Sequence, residues 1–165
     1  MVKIKNISFS YKEFDNIEEL DQNDRELVTA ARETALNAYA PYSKFKVGAA
    51  IRLESGQIVL GTNVENAAFP SGICAERNAL STSVSNHNSD NPIAIAIAAL
   101  TENGLTDNPV PPCGNCRQVI AEEELRTGKM IKIILSGKDK TIIVDSIGSL
   151  LPLQFNSKNL KINLP

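Results

Sequence analysis

"MIKIILSGKDKTIIVD" (residues 130–145) decides the fold. Two apolar runs rich in isoleucine, 130–135 and 140–145, are separated by only four residues, "SGKD". A helical crossover does not fit in so short a link, so the two strands pair antiparallel. Upstream, "KVGAAIRL" (46–53) and "QIVLGTNV" (57–64) flank the turn "ESG" and predict a β-hairpin. Residues 74–85 read as a helix, "IAIAIAAL" (93–100) as a central strand, and "CRQVIAEEEL" (116–125) as a second helix. Alternating strands and helices imply an α/β fold, and the antiparallel end makes the sheet mixed. The expectation is a three-layer α/β/α sandwich around a central mixed five-stranded sheet whose last two strands are antiparallel.

Ahead of the hairpin, "DRELVTAARETALNA" (24–38) places Leu27, Ala30, Ala31, Thr34, Ala35 and Ala38 at helical spacing. A helix with a small-residue packing face follows, with Asn23 or Asp24 as its cap. Residues 1–21 alternate apolar and polar side chains (Val2, Ile4, Phe9, Tyr11), which reads as an arm or an extra edge strand. A single domain is expected over 22–165; no repeat or linker divides it.

At 165 residues the chain suits one domain with a sizeable core. Apolar residues at 42% and charged residues at 22% exclude a disordered or fibrous chain. The start carries no uninterrupted apolar run with a cleavage site, and no window reaches membrane-spanning length, so a cytoplasmic protein is expected. A net charge of −2 without a basic run leaves no footprint for a phosphate backbone, and a small uncharged partner fits better than nucleic acid. The one histidine, His87, sits in the polar stretch "SNHNSDNP", so a catalytic triad has no candidate base.

The three cysteines, Cys74, Cys113 and Cys116, are an odd number in a chain expected in a reducing compartment, which argues against a disulfide framework. Inert core thiols, a redox pair and metal ligation remain. Cys113 and Cys116 form C-x-x-C after Pro111 and Pro112, and Cys74 opens a predicted helix after a turn. Helix N-termini favour thiolates through unpaired N–H groups and the positive end of the dipole. C-x-x-C alone also fits a redox pair; the third cysteine shifts the balance to metal. Three thiolates without a fourth cysteine point to an open site, as in a catalytic zinc that keeps a position for water. Such a site carries excess negative charge, which Arg77 and two helix dipoles are placed to offset. Glu76, two residues after Cys74, is available as proton carrier, or else is a first-turn carboxylate that merely favours the dipole.

C-A-E-R (74–77) together with P-C-G-N-C-R-Q (112–118) resembles the zinc-dependent cytidine deaminases of the small homotetrameric type. "YAPYSKFKVGAAI" (39–51), "GTNVENAAFPSGICAERNAL" (61–80), "PPCGNCRQVIAE" (111–122) and "SLLPLQF" (149–155) are similar to that family's blocks, in its order. The resemblance runs from about residue 24 to 160 and leaves the N-terminal arm without counterpart. It implies one Zn²⁺ per subunit on Cys74, Cys113 and Cys116, with Glu76 moving protons. It implies that Phe45 packs on the pyrimidine, that the main chain at Ala75 reads the ring's polar edge, and that Asn63 and Glu65 bond sugar hydroxyls. Phe155 would reach a neighbouring subunit's site within a homotetramer; otherwise it anchors the C-terminus.

The activity implied is hydrolytic deamination of cytidine and 2′-deoxycytidine, as in pyrimidine salvage. Deamination of another cytosine nucleoside, as by blasticidin-type relatives, is the close alternative, and a non-enzymatic zinc or redox module the contrasting one.

Overall fold

The computed structural model describes residues 1–160; the last five positions of the expected 22–165 domain lie outside the described residues. Its elements in chain order are β1 (Lys12–Phe14), α1 (Gln22–Ala35), β2 (Lys46–Leu53), β3 (Ile58–Thr62), α2 (Ala75–Asn86), β4 (Pro92–Thr101), β5 (Gly104–Leu105), α3 (Gly114–Thr127), β6 (Lys132–Ser136) and β7 (Thr141–Val144), with short 3₁₀ turns between some of them.

The strands form one mixed sheet in the order β1-β7-β6-β4-β2-β3, with β5 paired to β4. β2–β3 and β6–β7 are antiparallel hairpins, as the short links require, while β4 and β6 run parallel across the α3 crossover. The five-stranded expectation is corrected to seven strands among the described residues. The two additions are a three-residue strand from the N-terminal arm, paired to the β7 edge, and a two-residue strand after a tight turn at the end of β4. Neither is long enough to carry a period in sequence.

Side chains of the central strands alternate between two cores. Ile51, Ile95, Ile97 and Ile133 face α2 and α3, burying Ala75, Ala79, Leu80 and Ile120. Ala50, Ala94, Ala96 and Ala98 face the other way, against Leu27, Val28 and Ala31 of α1. The small residues on that face let α1 approach the sheet closely. α1 begins earlier than the spacing suggested and is capped by Asp21, whose side chain accepts the Asp24 N–H at 2.9 Å. Asn23 and Asp24 therefore lie inside the helix, and Asp24 pairs with Lys132 instead.

Two glycines set the helix distances. A Cβ on Gly48 would lie 2.1 Å from the Ala31 carbonyl oxygen of α1, and one on Gly61 2.4 Å from the Ala79 nitrogen of α2. Only glycine permits these approaches. Among the described residues no helix is long and apolar enough to cross a membrane.

Candidate metal centre and active site

The N-termini of α2 and α3 converge. Cys74 is the cap residue of α2 and Cys113 that of α3, both with extended backbone; Cys116 sits in the first turn of α3. The three sulfurs lie within 4.8 Å of one another, with Cys113 Sγ 3.5 Å from Cys116 Sγ. Cys116 is fully buried, Cys74 half-buried and Cys113 exposed.

Burial, together with the nearby Glu76 carboxylate and its fellow thiols, pushes the Cys116 thiol far above its ordinary range. Cys74 is also raised, chiefly by burial. Burial opposes ionisation at Cys113 too, but N–H groups of Cys116 and Asn115 and the neighbouring thiols outweigh it and the net direction is down. Without a cation the cluster thus tolerates one thiolate easily and resists three. A divalent ion removes that conflict, and three soft sulfur donors at two dipole ends suit zinc. Zn–S bonds of about 2.3 Å in tetrahedral array space the sulfurs about 3.8 Å apart, close to what the cluster already provides.

Above the sulfurs opens a cavity of about 730 Å³. It is lined by Cys74, Ala75, Glu76, Arg77 and Cys113 from the two helix ends, by Phe45, Asn63 and Glu65 from around the β2–β3 hairpin, and by Tyr42, Ser43 and Phe69. Glu76 is 6% exposed, in the first turn of α2, close enough for its charge to raise the thiols of Cys74 and Cys116. Arg77 donates to the Gly72 carbonyl at 3.2 Å and lies close enough to Cys74 to favour its thiolate, a smaller effect than the burial that raises the thiol. Among the described residues the Arg77 Nε, buried, has no hydrogen-bond partner. His87 caps the opposite end of α2 from Cys74.

The "NVEN" segment is stitched between two neighbours, with Val64 bridged to both Tyr39 and Ile73. Asn63 Oδ1 accepts the Val47 N–H at 2.7 Å, and its Nδ2 donates to the Phe45 carbonyl at 2.9 Å. Glu65 accepts the N–H of Tyr42 at 2.9 Å and of Ser43 at 3.3 Å, and the Ser43 hydroxyl. The Ser43 hydroxyl, first, and these N–H groups hold the Glu65 carboxyl below its ordinary range. Each side chain keeps unused bonding capacity toward the cavity.

Phe155 is 59% exposed and is not among the residues lining this cavity; its carbonyl accepts from Gln118 Nε2 at 2.9 Å. Arg117, to which sequence reading gave no role, ties the site together. It donates to the carbonyls of Pro112, next to Cys113, and of Leu150, at 2.8 and 2.7 Å. Tyr42, Ser43 and Phe69 were also passed over; the only signal was their place inside the blocks around Phe45 and Asn63.

The sequence pattern of the cytidine and deoxycytidylate deaminase zinc-binding region matches residues 21–132, a span that contains all three cysteines and Glu76. The chain belongs to this deaminase family. It is 38% identical over 134 residues to a cytidine deaminase of Halalkalibacterium halodurans, covering 81% of this chain and 95% of the relative. It is 39% identical over 134 residues to that of Sporosarcina psychrophila, covering 81% and 92%. A blasticidin-S deaminase of Bacillus cereus is 30% identical over 138 residues, covering 82% and 94%. Among solved structures, cytidine deaminase from Burkholderia pseudomallei superposes with a TM-score of 0.68 at 36% identity, covering 79% of this chain and 97% of that one.

Proposed function

We propose that this protein is a zinc-dependent cytidine deaminase, converting cytidine and 2′-deoxycytidine with water into uridine or 2′-deoxyuridine and ammonia. The observation that carries the reading is the meeting of three sulfurs within 4.8 Å, with Cys74, Cys113 and the buried Glu76 lining one cavity. A redox pair needs two sulfurs and no carboxylate; this site has a third sulfur and a proton carrier.

Cys74, Cys113 and Cys116 would hold one zinc ion per chain, whose chemistry there is Lewis-acid activation of water near neutral pH. Glu76 accepts a proton from the attacking water and delivers it to N3 of the ring, which makes C4 electrophilic. It then takes the second proton, from the hydroxyl added at C4, and passes it to the exocyclic amino group, so that the C4–N bond breaks, ammonia leaves and the C4 carbonyl forms. Phe45 packs on the pyrimidine face and the Ala75 main chain bonds its polar edge. Asn63 and Glu65 offer their remaining bonding capacity to the sugar hydroxyls. Arg77 offsets the excess charge of three thiolates.

Phe155, exposed and away from its own cavity, suits insertion into a neighbouring subunit's site, within the homotetramer that the family resemblance implies. The two cores on either face of the sheet support a three-layer α/β/α domain over 22–165, with 1–21 as an added arm. A cytoplasmic role in pyrimidine salvage fits a nucleoside substrate, and a net charge of −2 speaks against nucleic acid. The similarity to a blasticidin-S deaminase favours a second reading, a different cytosine nucleoside as substrate.

Ammonia release from cytidine, 2′-deoxycytidine and blasticidin S, with metal content, tests both. The Glu76→Ala variant should keep zinc and lose about 10²–10⁴-fold in kcat. Wild-type turnover in that variant would sink the assignment.

A further inference from the structure

One wall of the cavity is the segment 42–47, and its backbone is held in a shape the chain does not take by default. Lys44 has φ 57°, the left-handed region that a Cβ disfavours. Side chains grip the backbone on both sides of it. The Ser43 hydroxyl donates to Glu65, and the same oxygen accepts the Phe45 N–H at 3.0 Å. Ser43 therefore spans Lys44, with Glu65 on one side and the aromatic wall on the other. Asn63 fixes the far end of the segment through Phe45 and Val47.

We propose that Ser43 is a positioning residue for nucleoside recognition, holding the left-handed turn at Lys44 so that Phe45 and Glu65 face the substrate together. Its substrate rests on the deaminase reading; its geometry does not. The catalytic groups sit on α2 and α3, so loss of Ser43 acts on binding and leaves the chemical step in place.

The test compares wild type, Ser43→Ala, Lys44→Gly and the double variant, by steady-state kinetics on cytidine and by amide hydrogen exchange of the full chain. Ser43→Ala is expected to raise KM about tenfold with kcat within about twofold, and to speed exchange at the Phe45 amide. Glycine adopts positive φ without a Cβ penalty. The double variant should therefore recover KM and exchange to near the Lys44→Gly values. A KM penalty that persists undiminished beside Lys44→Gly would make Ser43 a direct substrate contact and overturn the proposal. So would an Ser43→Ala variant with unchanged KM and exchange. If wild type releases no ammonia from cytidine, the deaminase reading fails, while the exchange data still decide the role of Ser43.

Discussion

Gly61→Ala is the substitution that joins packing to chemistry most directly. A Cβ there lies 2.4 Å from Ala79 N, 2.6 Å from Ala75 O and 2.8 Å from Ala79 Cα, all of them backbone atoms of α2 that no rotamer change can move aside. Ordinary contact begins near 3.4 Å, so α2 must shift from the sheet by about 1 Å. That helix carries Cys74 at its cap and Glu76 in its first turn, whereas Cys113 and Cys116 belong to α3. Metal–ligand distances tolerate about 0.2 Å, so the shift pulls one ligand out of register with the other two. A 1 Å misplacement of reacting groups costs about 100-fold in rate. Overpacking itself costs about 1–3 kcal/mol in stability. Gly48→Ala is the control: its Cβ strikes α1 on the opposite face, with a similar stability cost and no effect on α2. Zinc content per chain, cytidine turnover and thermal melting would be measured for both. Gly61→Ala should lose zinc and turnover; Gly48→Ala should lose melting temperature only. A Gly61→Ala protein that keeps full zinc and kcat within about threefold of wild type refutes this coupling.

Metal removal exposes the unequal thiols. With zinc chelated, Cys113, lowered and exposed, should be alkylated first and Cys116, raised and buried, last, as peptide mass mapping would show; equal rates would contradict the burial argument. Cys113→Ala should lose both metal and stability, because ligation is coupled to folding. At the other end of the molecule, the Asp24 N–H, first, and the Lys132 charge lower the Asp21 carboxyl. A depressed folded value means that its stabilisation is present above the unfolded value near 3.9 and lost as pH falls through the folded one. Asp21→Ala should thus cost about 1 kcal/mol at neutral pH, and urea titrations should show that difference vanish in strong acid; a constant difference would refute the cap's ionic character.

How far sequence reaches depends on whether a feature is periodic, local or assembled. The hairpins and the parallel crossover were legible because link length alone fixes strand direction. β1 was read only loosely, as an arm or an extra edge strand somewhere in 1–21, and β5 not at all, since three and two residues carry no period of their own and pair only where a neighbouring edge is free. The α1 start was misplaced because Asp21, Asn23 and Asp24 are all good caps; what decides is the partner across the sheet, since Lys132 holds Asp24 inside the helix. In "IAIAIAAL" the signal was present but read only as apolarity: Ile95 and Ile97 face one core and Ala94, Ala96 and Ala98 the other, which records how close α1 must come.

The same division runs through the site. Cysteine spacing and helix starts are local, so the sulfur cluster could be drawn from the chain before any fold was known. The wall that faces it was harder, because the grip of Asn63 and Glu65 on segment 42–47 joins residues some twenty positions apart through main-chain atoms, which leave no mark in composition. Sequence therefore names the groups that do chemistry more readily than the groups that aim them. At Lys44 the mark is inverse: a lysine stands where backbone geometry would favour glycine, and the hydrogen bonds around it supply the restraint that its own preference lacks.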